Sequence, residues 1–453
     1  MKTVALHNLG CKVNEYEIEI MQQNVQKGGW KIVDFAQKAD IYVINTCSVT
    51  NIADRKSRQM IHRARKMNSD AVIVATGCYA QTDTEGAMAD DAIDIVIGNN
   101  RKTELVDIIK EYMSQKEKVC VVDDLSVPSV YENCTLEGYD DRRIRVDIKI
   151  QDGCNQFCSY CIIPYARGRV RSRLPEEIIE EIKILEKKGV KEVVLTGIHL
   201  SSYGLDFHDD GTGKIPSYNS LADRGEFTNR DLLQVLDRVS QLDGIKRIRF
   251  GSLEPRAITE EFLEHISSNE KICPHFHLSL QSGCDETLKR MNRHYSTGEF
   301  RSRVELIRKY YKHPAITTDI IVGFPGETAE EFEKTCGFVD EIGFYETHIF
   351  KYSKRKGTVA AGLPGQLTEA QKAERSDVLL EKNERNSRAF VGELIDCEIE
   401  ILTEETIEFD NKLYTIGHTK DYVAAAVEGA HEINRIMTGK AVRFLKDNML
   451  LLK

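Results

Sequence analysis

Four short runs, TVALHNL, IYVINT, AVIVATG and IDIVIG, punctuate about the first hundred residues, with amphipathic stretches of helical period between them. Runs that stay apolar at nearly every position suit strands buried on both faces, and helices between such strands imply parallel crossovers. The spacing predicts helices from about Glu15 to Lys27 and Asn51 to Lys66, packed on an open parallel sheet over 1–115. In such a sheet the carboxyl ends of the strands share one edge, where open α/β folds bind ligands. Cys11, Cys47 and Cys78 each fall just past a strand, so residues 36 and 31 positions apart are brought toward one point.

The segment 116–143 is looser and reads as a linker. A second α/β series occupies 144–370, with strands at IRVDIKI, EVVLTGI, IRFGSL, FHLSLQS, TTDIIVGF and ETHIFKY. About six β/α units without a Rossmann glycine fingerprint predict a full or partial barrel. Residues 206–229 are polar and turn-rich, as a surface insertion would be. Residues 371–453 hold most of a charged helix, from about Thr368 to Phe390, followed by short alternating strands that predict a small all-β barrel. The fold class is therefore α/β: an open parallel sheet, a central barrel and a terminal β-barrel.

No apolar run approaches the roughly 20 residues of a membrane helix, and MKTVALHNL is a poor signal peptide. The expected compartment is the reducing cytoplasm, where twelve cysteines point to metal or redox chemistry rather than disulfides. A net charge of -10 argues against a protein that coats nucleic acid, but leaves room for a local basic site.

The stretch DGCNQFCSYC places Cys154, Cys158 and Cys161 in a C-x3-C-x2-C loop directly after the first strand of the central unit. Structural zinc needs a fourth ligand, for which His199 is the nearest downstream histidine. A cubane iron-sulfur cluster held by three thiolates leaves one iron open to substrate. For Cys11, Cys47 and Cys78 the alternative is plain packing as small hydrophobes, and their separations match no zinc finger.

The C-x3-C-x2-C loop, in this place, is similar to the radical SAM signature. NLGCKVNEYE, VINTCSVT and ATGCYAQ resemble the amino-terminal domain of the methylthiotransferases, where three such cysteines hold a second 4Fe-4S cluster. LGCKVNEYE, IIPYARGRVRSR, VVLTGIHLSSYG, LQSGCDETLKRMNRHY and FKYSKRKGTVAA look most like the branch that modifies threonylcarbamoyladenosine at position 37 of transfer RNA. The terminal barrel is similar to a TRAM domain.

The resemblance implies a transferase with two 4Fe-4S clusters and S-adenosylmethionine (SAM) that replaces the C2 hydrogen of the adenine with a methylthio group. It also implies a tRNA substrate and an electron donor such as a flavodoxin or ferredoxin. The sulfur donor is left open, no membrane is involved and a monomer is the default. Cys154, Cys158 and Cys161 would hold the SAM cluster, and Cys11, Cys47 and Cys78 the other. Two alternatives keep the chemistry and change the substrate, to isopentenyladenosine in tRNA or a ribosomal-protein aspartate. A third is a non-catalytic iron-sulfur protein that binds RNA or senses redox state.

Barrel chemistry sits at carboxyl ends of strands, which makes Gly197, Ser279, Gln281 and Asp319 candidates for SAM contact. Arg167, Arg169, Arg171 and Arg173 recur at two-residue spacing, and an extended segment would point all four to one side, toward phosphates, a carboxylate or solvent. Arg55, Lys56, Arg58, Arg63, Arg65 and Lys66 suggest a helix that tracks an RNA backbone or simply faces water. The other six cysteines, at 120, 134, 273, 284, 336 and 397, read as packing residues. From Arg388 to Lys453 eight Lys/Arg face twelve Asp/Glu, which is unexpected in a module that grips RNA.

Overall fold

The computed structural model describes residues 1–127, 129–137, 144–208 and 215–453. Parts of the expected linker (128 and 138–143) and of the expected insertion (209–214) lie outside the described residues.

Strands β1 (Thr3–Asn8), β2 (Lys31–Val33), β3 (Ile41–Thr46), β4 (Val72–Gly77), β5 (Ile95–Ile97) and β6 (Val119–Val121) form one parallel sheet in the order β2-β1-β3-β4-β5-β6. Alternate residues feed two cores: Tyr42, Ile44 and Ile73 face one side, Ile41, Val43 and Val74 the other. The continuous apolar runs thus have the physical cause read from the sequence. β6 lies within the segment expected to be a linker. Helices α1 (Lys12–Lys27) and α2 (Asn51–Met67) begin immediately after the β1 and β3 cysteine loops.

The central unit holds β7 (Arg145–Asp152), β8 (Arg171–Ser172), β9 (Glu192–Gly197), β10 (Arg247–Phe250), β11 (Ser252–Leu253), β12 (His275–Leu278), β13 (Ala315–Val322) and β14 (Glu346–Lys351). Two four-stranded sheets, β10-β9-β7-β8 and β11-β12-β13-β14, meet through a parallel bridge between Ile248 and Ile272, making a partial barrel. Ile148, Val193, Ile248, Phe276 and Ile320 turn outward beneath helices such as Pro175–Lys187. Most intervening positions, such as Lys149, Gln151, Arg249, His277 and Asp319, turn polar side chains inward. Within 206–229, Tyr218 and Phe227 pack on Leu205 and Ala257, so part of this segment is buried rather than a surface insertion.

After the helix Glu369–Gly392, β15 (Glu398–Phe409), β16 (Lys412–His418), β17 (Ala424–Glu428), β18 (Ile436–Lys446) and β19 (Met449–Leu452) close a barrel in the order β15-β16-β17-β19-β18. It caps the amino ends of the central strands. Arg145 pairs with Glu404 at 2.6 Å, Arg247 with Glu400 at 2.9 Å, and the Arg145 and Arg249 guanidiniums lie 4.6 and 4.7 Å from the centre of the Tyr422 ring. Two of the terminal barrel's unexpected carboxylates are thus docking groups for buried arginines.

Candidate active site

β1, β3 and β4 are adjacent, parallel and in register, with Asn8 opposite Asn45 and Thr46 opposite Gly77. Cys47 and Cys78 follow directly on β3 and β4, and Cys11 lies three residues beyond β1, capping α1. Asn14 Nδ2 stitches these ends together by donating to the carbonyls of Leu9 (2.7 Å) and Thr46 (3.1 Å). Ser57 of α2 receives the Cys47 N–H at 3.2 Å and donates back to its carbonyl. Gly77 makes the turn into Cys78 at φ 95°, where a Cβ would lie 2.5 Å from the Thr46 oxygen. Burial, then the neighbouring Cys78 thiol, pushes Cys47 up to about 12. Burial also raises Cys78, against the pull of Arg167 and Lys102.

The second trio sits past the carboxyl end of β7. Gly153 (φ 69°) is required there, because a Cβ would lie 1.8 Å from the Arg169 carbonyl oxygen. Cys154 N donates to the Gly168 carbonyl and Cys161 N to that of Cys158, which folds the loop. Burial, then Cys158, pushes Cys154 up to about 12, and burial with both loop partners raises Cys161 further. Thiols so placed stay protonated until a positive partner arrives, and metal loading must release their protons.

Of the four arginines in IIPYARGRVRSR, three are buried in ion pairs with the chain's own carboxylates and face neither RNA phosphates nor solvent. Arg167 reaches Glu17 (2.7 Å) and Asp152 (3.2 Å), Arg171 reaches Asp152 (3.0 Å), and Arg173 pairs with Glu181. Arg169, partly exposed, stacks 4.5 Å from the centre of Phe157. Lys149 joins Glu17 at 2.7 Å and Asp152 at 2.6 Å, and Lys102 also pairs with Glu17. Four cations (Lys102, Lys149, Arg167, Arg171) thus share two carboxylates, and Cys78 feels both Arg167 and Lys102. Asn99 joins the two regions by donating to the Ala166 carbonyl at 2.6 Å while standing 3.9 Å from Cys78 Sγ.

A cavity of about 220 Å³ opens between the trios. Val49 and Thr50, just past Cys47, line one side; Cys161 and Ile162 line another; Gln281, Asp319, Phe350 and Lys351 complete it. Of the residues expected to contact SAM, Gln281 and Asp319 line this cavity. Gly197 lies elsewhere, at the end of β9 against Gln151, and Ser279 directs its carbonyl to Tyr295 and Arg293.

Sequence reasoning missed Arg293 and Arg355. Arg293 Nη1 stands 3.2 Å from Cys158 Sγ, and Arg355 ties the cavity's far wall to α2 through Asn51 (2.9 Å) and Asp54 (3.1 Å). Both lie in motifs noted for their resemblance, NRHY and SKRKGT, but their contacts are long-range. Among the other six cysteines, Cys273, Cys284 and Cys336 are buried and Cys134 is half-buried, whereas Cys120 and Cys397 are exposed and do no packing work.

The donor sets suit thiolate-held clusters better than single ions. Neighbouring strands stand about 4.8 Å apart, so thiols on three strand ends spread wider than the roughly 2.3 Å bonds of one zinc allow. Among the described residues, His277, Asp319 and His348 bring donor atoms within 4.8 Å of one another, and no such group includes a cysteine or His199. Two of the three are engaged without an ion: His277 meets Thr317 Oγ1 at 3.0 Å and Asp319 at 3.3 Å. Burial, with Arg293 and Arg256, pushes His199 down to about 3, and its Nδ1 meets Ser202 at 2.6 Å.

Residues 148–339 match the Radical SAM superfamily, and residues 3–98 match a family described as Uncharacterized protein family UPF0004. The structure of TsrM, a radical S-adenosylmethionine methyltransferase from Kitasatospora setae, has the same fold in outline. Its TM-score is 0.53 at 15% identity, over 77% of this chain and 73% of that one. Partial barrel and three-cysteine loop together define a radical SAM protein.

Threonylcarbamoyladenosine tRNA methylthiotransferase MtaB of Bacillus subtilis is 40% identical over 98% of this chain and 93% of that protein. MtaB of Aquifex aeolicus is 38% identical over 98% and 99%. The tRNA-2-methylthio-N(6)-dimethylallyladenosine synthase of Thermoanaerobacter pseudethanolicus is 31% identical over 98% and 88%. The chain belongs to the methylthiotransferase family of radical SAM enzymes, whose cofactors are SAM and two 4Fe-4S clusters.

Proposed function

We propose that this enzyme methylthiolates C2 of N6-threonylcarbamoyladenosine at position 37 of tRNA in the cytoplasm, and that the cavity between the trios receives the base. The observation that carries this reading is the cavity itself, whose walls come from the residues next to Cys47 and from the Cys161 loop. Relatives named for the threonylcarbamoyl substrate run from 34 to 40% identity, and those named for the dimethylallyl substrate from 31 to 34%. Cys154, Cys158 and Cys161 would hold the SAM cluster, and Cys11, Cys47 and Cys78 the second.

When bound, these groups supply one-electron cleavage of SAM to a 5′-deoxyadenosyl radical and a transferable sulfur. An aromatic C–H needs such a reagent, since a positioned base contributes only about 10²–10⁴-fold. The chain's own work is confinement. Val49, Ile162, Ile321 and Phe350 give the cavity a largely apolar wall, and Gln281 and Asp319 offer polar groups to orient SAM.

Exposed cations lie on the two segments that are tied together beside the cavity. Lys351, Lys354 and Lys356 lie on the segment bound to α2 through Asn51 and Ser353 (2.8 Å), and α2 contributes Arg55, Lys56, Arg58, Arg63 and Lys66. These are the residues we assign to the RNA backbone. Arg65 is excluded, because it pairs with Asp94 at 2.7 Å.

The test is a reaction of reduced holoenzyme with SAM and tRNA carrying or lacking the threonylcarbamoyl group. Nucleoside mass spectrometry should find the methylthio product only with the modified tRNA. Product on isopentenyladenosine tRNA instead would sink the substrate assignment. Absence of 5′-deoxyadenosine with both clusters intact would sink the reaction.

A further inference from the structure

The segment 290–293 grips the cysteine loop from the opposite side of the partial barrel. Ser159 N and Oγ donate to the carbonyls of Met291 (2.9 Å) and Arg290 (2.7 Å), and Asn292 Nδ2 donates to that of Phe157 (3.1 Å). Arg293 extends this brace to a sulfur, with Nη1 standing 3.2 Å from Cys158 Sγ. Its remaining nitrogens are fixed, Nε on Tyr295 Oη at 2.9 Å and Nη2 on the Ser279 carbonyl at 3.3 Å, with the guanidinium 4.8 Å from the centre of the Tyr295 ring.

No carboxylate pairs with Arg293 among the described residues. The nearby Glu254 is engaged by Arg256 at 3.1 Å and by the Tyr218 hydroxyl. A partly buried guanidinium held by neutral acceptors and one sulfur keeps its charge without a matching anion, which is costly unless the sulfur supplies the negative charge.

We propose that Arg293 is a positioning residue that supplies the counter-charge to the Cys158 thiolate and raises the reduction potential of the cluster held by Cys154, Cys158 and Cys161. This rests on the reading that those cysteines carry a cluster. Hydrogen bonds to cluster sulfurs and nearby charge are established levers on such potentials. A fixed cation favours the reduced state, which is the more negative one.

The experiment is an EPR-monitored redox titration of the full chain with Cys11, Cys47 and Cys78 changed to alanine, so that one cluster is present. Arg293→Gln should lower the reduction equilibrium constant at least tenfold, about 59 mV for one electron. Arg293→Lys should restore most of that. Lys289→Gln, at an exposed position on the adjacent helix, should leave the potential unchanged. An unshifted potential in Arg293→Gln, an equal drop in Arg293→Lys, or an equal drop in Lys289→Gln would overturn the proposal.

If Arg293→Gln fails to hold iron while Arg293→Lys loads with a near-parental potential, the charge is what matters and the proposal stands. Loss of iron from both marks a mere structural brace and overturns it. A parental protein that binds no four-iron cluster would fail the cluster reading itself, a distinguishable result.

Discussion

The two ends of the central partial barrel both bury arginine, and their charge balance differs. At the amino ends of the strands, Arg145, Arg247 and Arg249 meet three carboxylates, Glu192, Glu400 and Glu404. At the carboxyl ends, Lys102, Lys149, Arg167 and Arg171 share Glu17 and Asp152, and Arg293 has no carboxylate partner among the described residues. Buried ion pairs rarely add net stability over apolar packing, but an unmatched buried charge is strongly destabilising. A balanced network is therefore what docking a domain requires. An unbalanced one marks a place where anionic groups are meant to arrive, and each cationic surplus lies beside a cysteine trio.

The largest effects should come from removing the thiols at the unbalanced end. Cys154→Ala, Cys158→Ala or Cys161→Ala should abolish 5′-deoxyadenosine formation. Cys47→Ala should spare that cleavage and lose methylthiolation of tRNA. Quantifying 5′-deoxyadenosine and methylthio nucleoside in one reaction checks both. The reverse pattern would exchange the roles given to the trios and break the distinction between them.

Next comes the charge that joins the two trios. Arg167→Met removes the cation that bridges Glu17 and Asp152 while Lys102, Lys149 and Arg171 still pair with them, so the loss is that of its charged hydrogen bonds, about 1.5–3 kcal/mol. Thermal unfolding of the iron-free protein should show this loss, and iron analysis should show the Cys11, Cys47 and Cys78 site underloaded. Arg249→Met, at the balanced end, should cost stability of similar order and leave iron content unchanged. Equal iron loss in both variants would mean that the surplus has no special tie to the cysteines.

Much of this layout was legible in the chain. Valine-rich runs fixed parallel strands, and parallel strands fix a common edge, so Cys11, Cys47 and Cys78 were readable as one group across 36 and 31 intervening steps. The C-x3-C-x2-C loop needed no topology at all. What escaped was any role defined by a distant partner. The arginines at 167, 171 and 173 look like a solvated row because their two-residue period is local, whereas their partners Glu17, Asp152 and Glu181 come from separate elements. Arg293 lies 135 residues from Cys158, and no spacing rule connects them. β6 is three residues long, too short to show a period within a polar segment. Of the terminal barrel's excess of carboxylates, Glu400 and Glu404 are taken up by arginines of the central unit, partners that composition does not show.

The smallest effect belongs to the balanced end and depends on pH. Burial alone would raise Glu192, but Arg249, Arg145 and Arg247 overcome it and hold the carboxyl down at about 2, against an ordinary 4.5. A carboxyl whose folded value is depressed contributes stability that is fully present above the unfolded value and is lost as pH falls through the folded one. For Glu192 that window runs from about 4.5 down to about 2, and the contribution is on the order of 3 kcal/mol. Limited proteolysis of the iron-free protein across this range should release the terminal barrel as Glu192 protonates. Glu192→Gln should be less stable at neutral pH and show a flatter acid dependence. If its acid profile instead ran parallel to that of the parent, the docking charge would reside in Glu400 and Glu404, and the two ends would differ in solvent exposure rather than in balance.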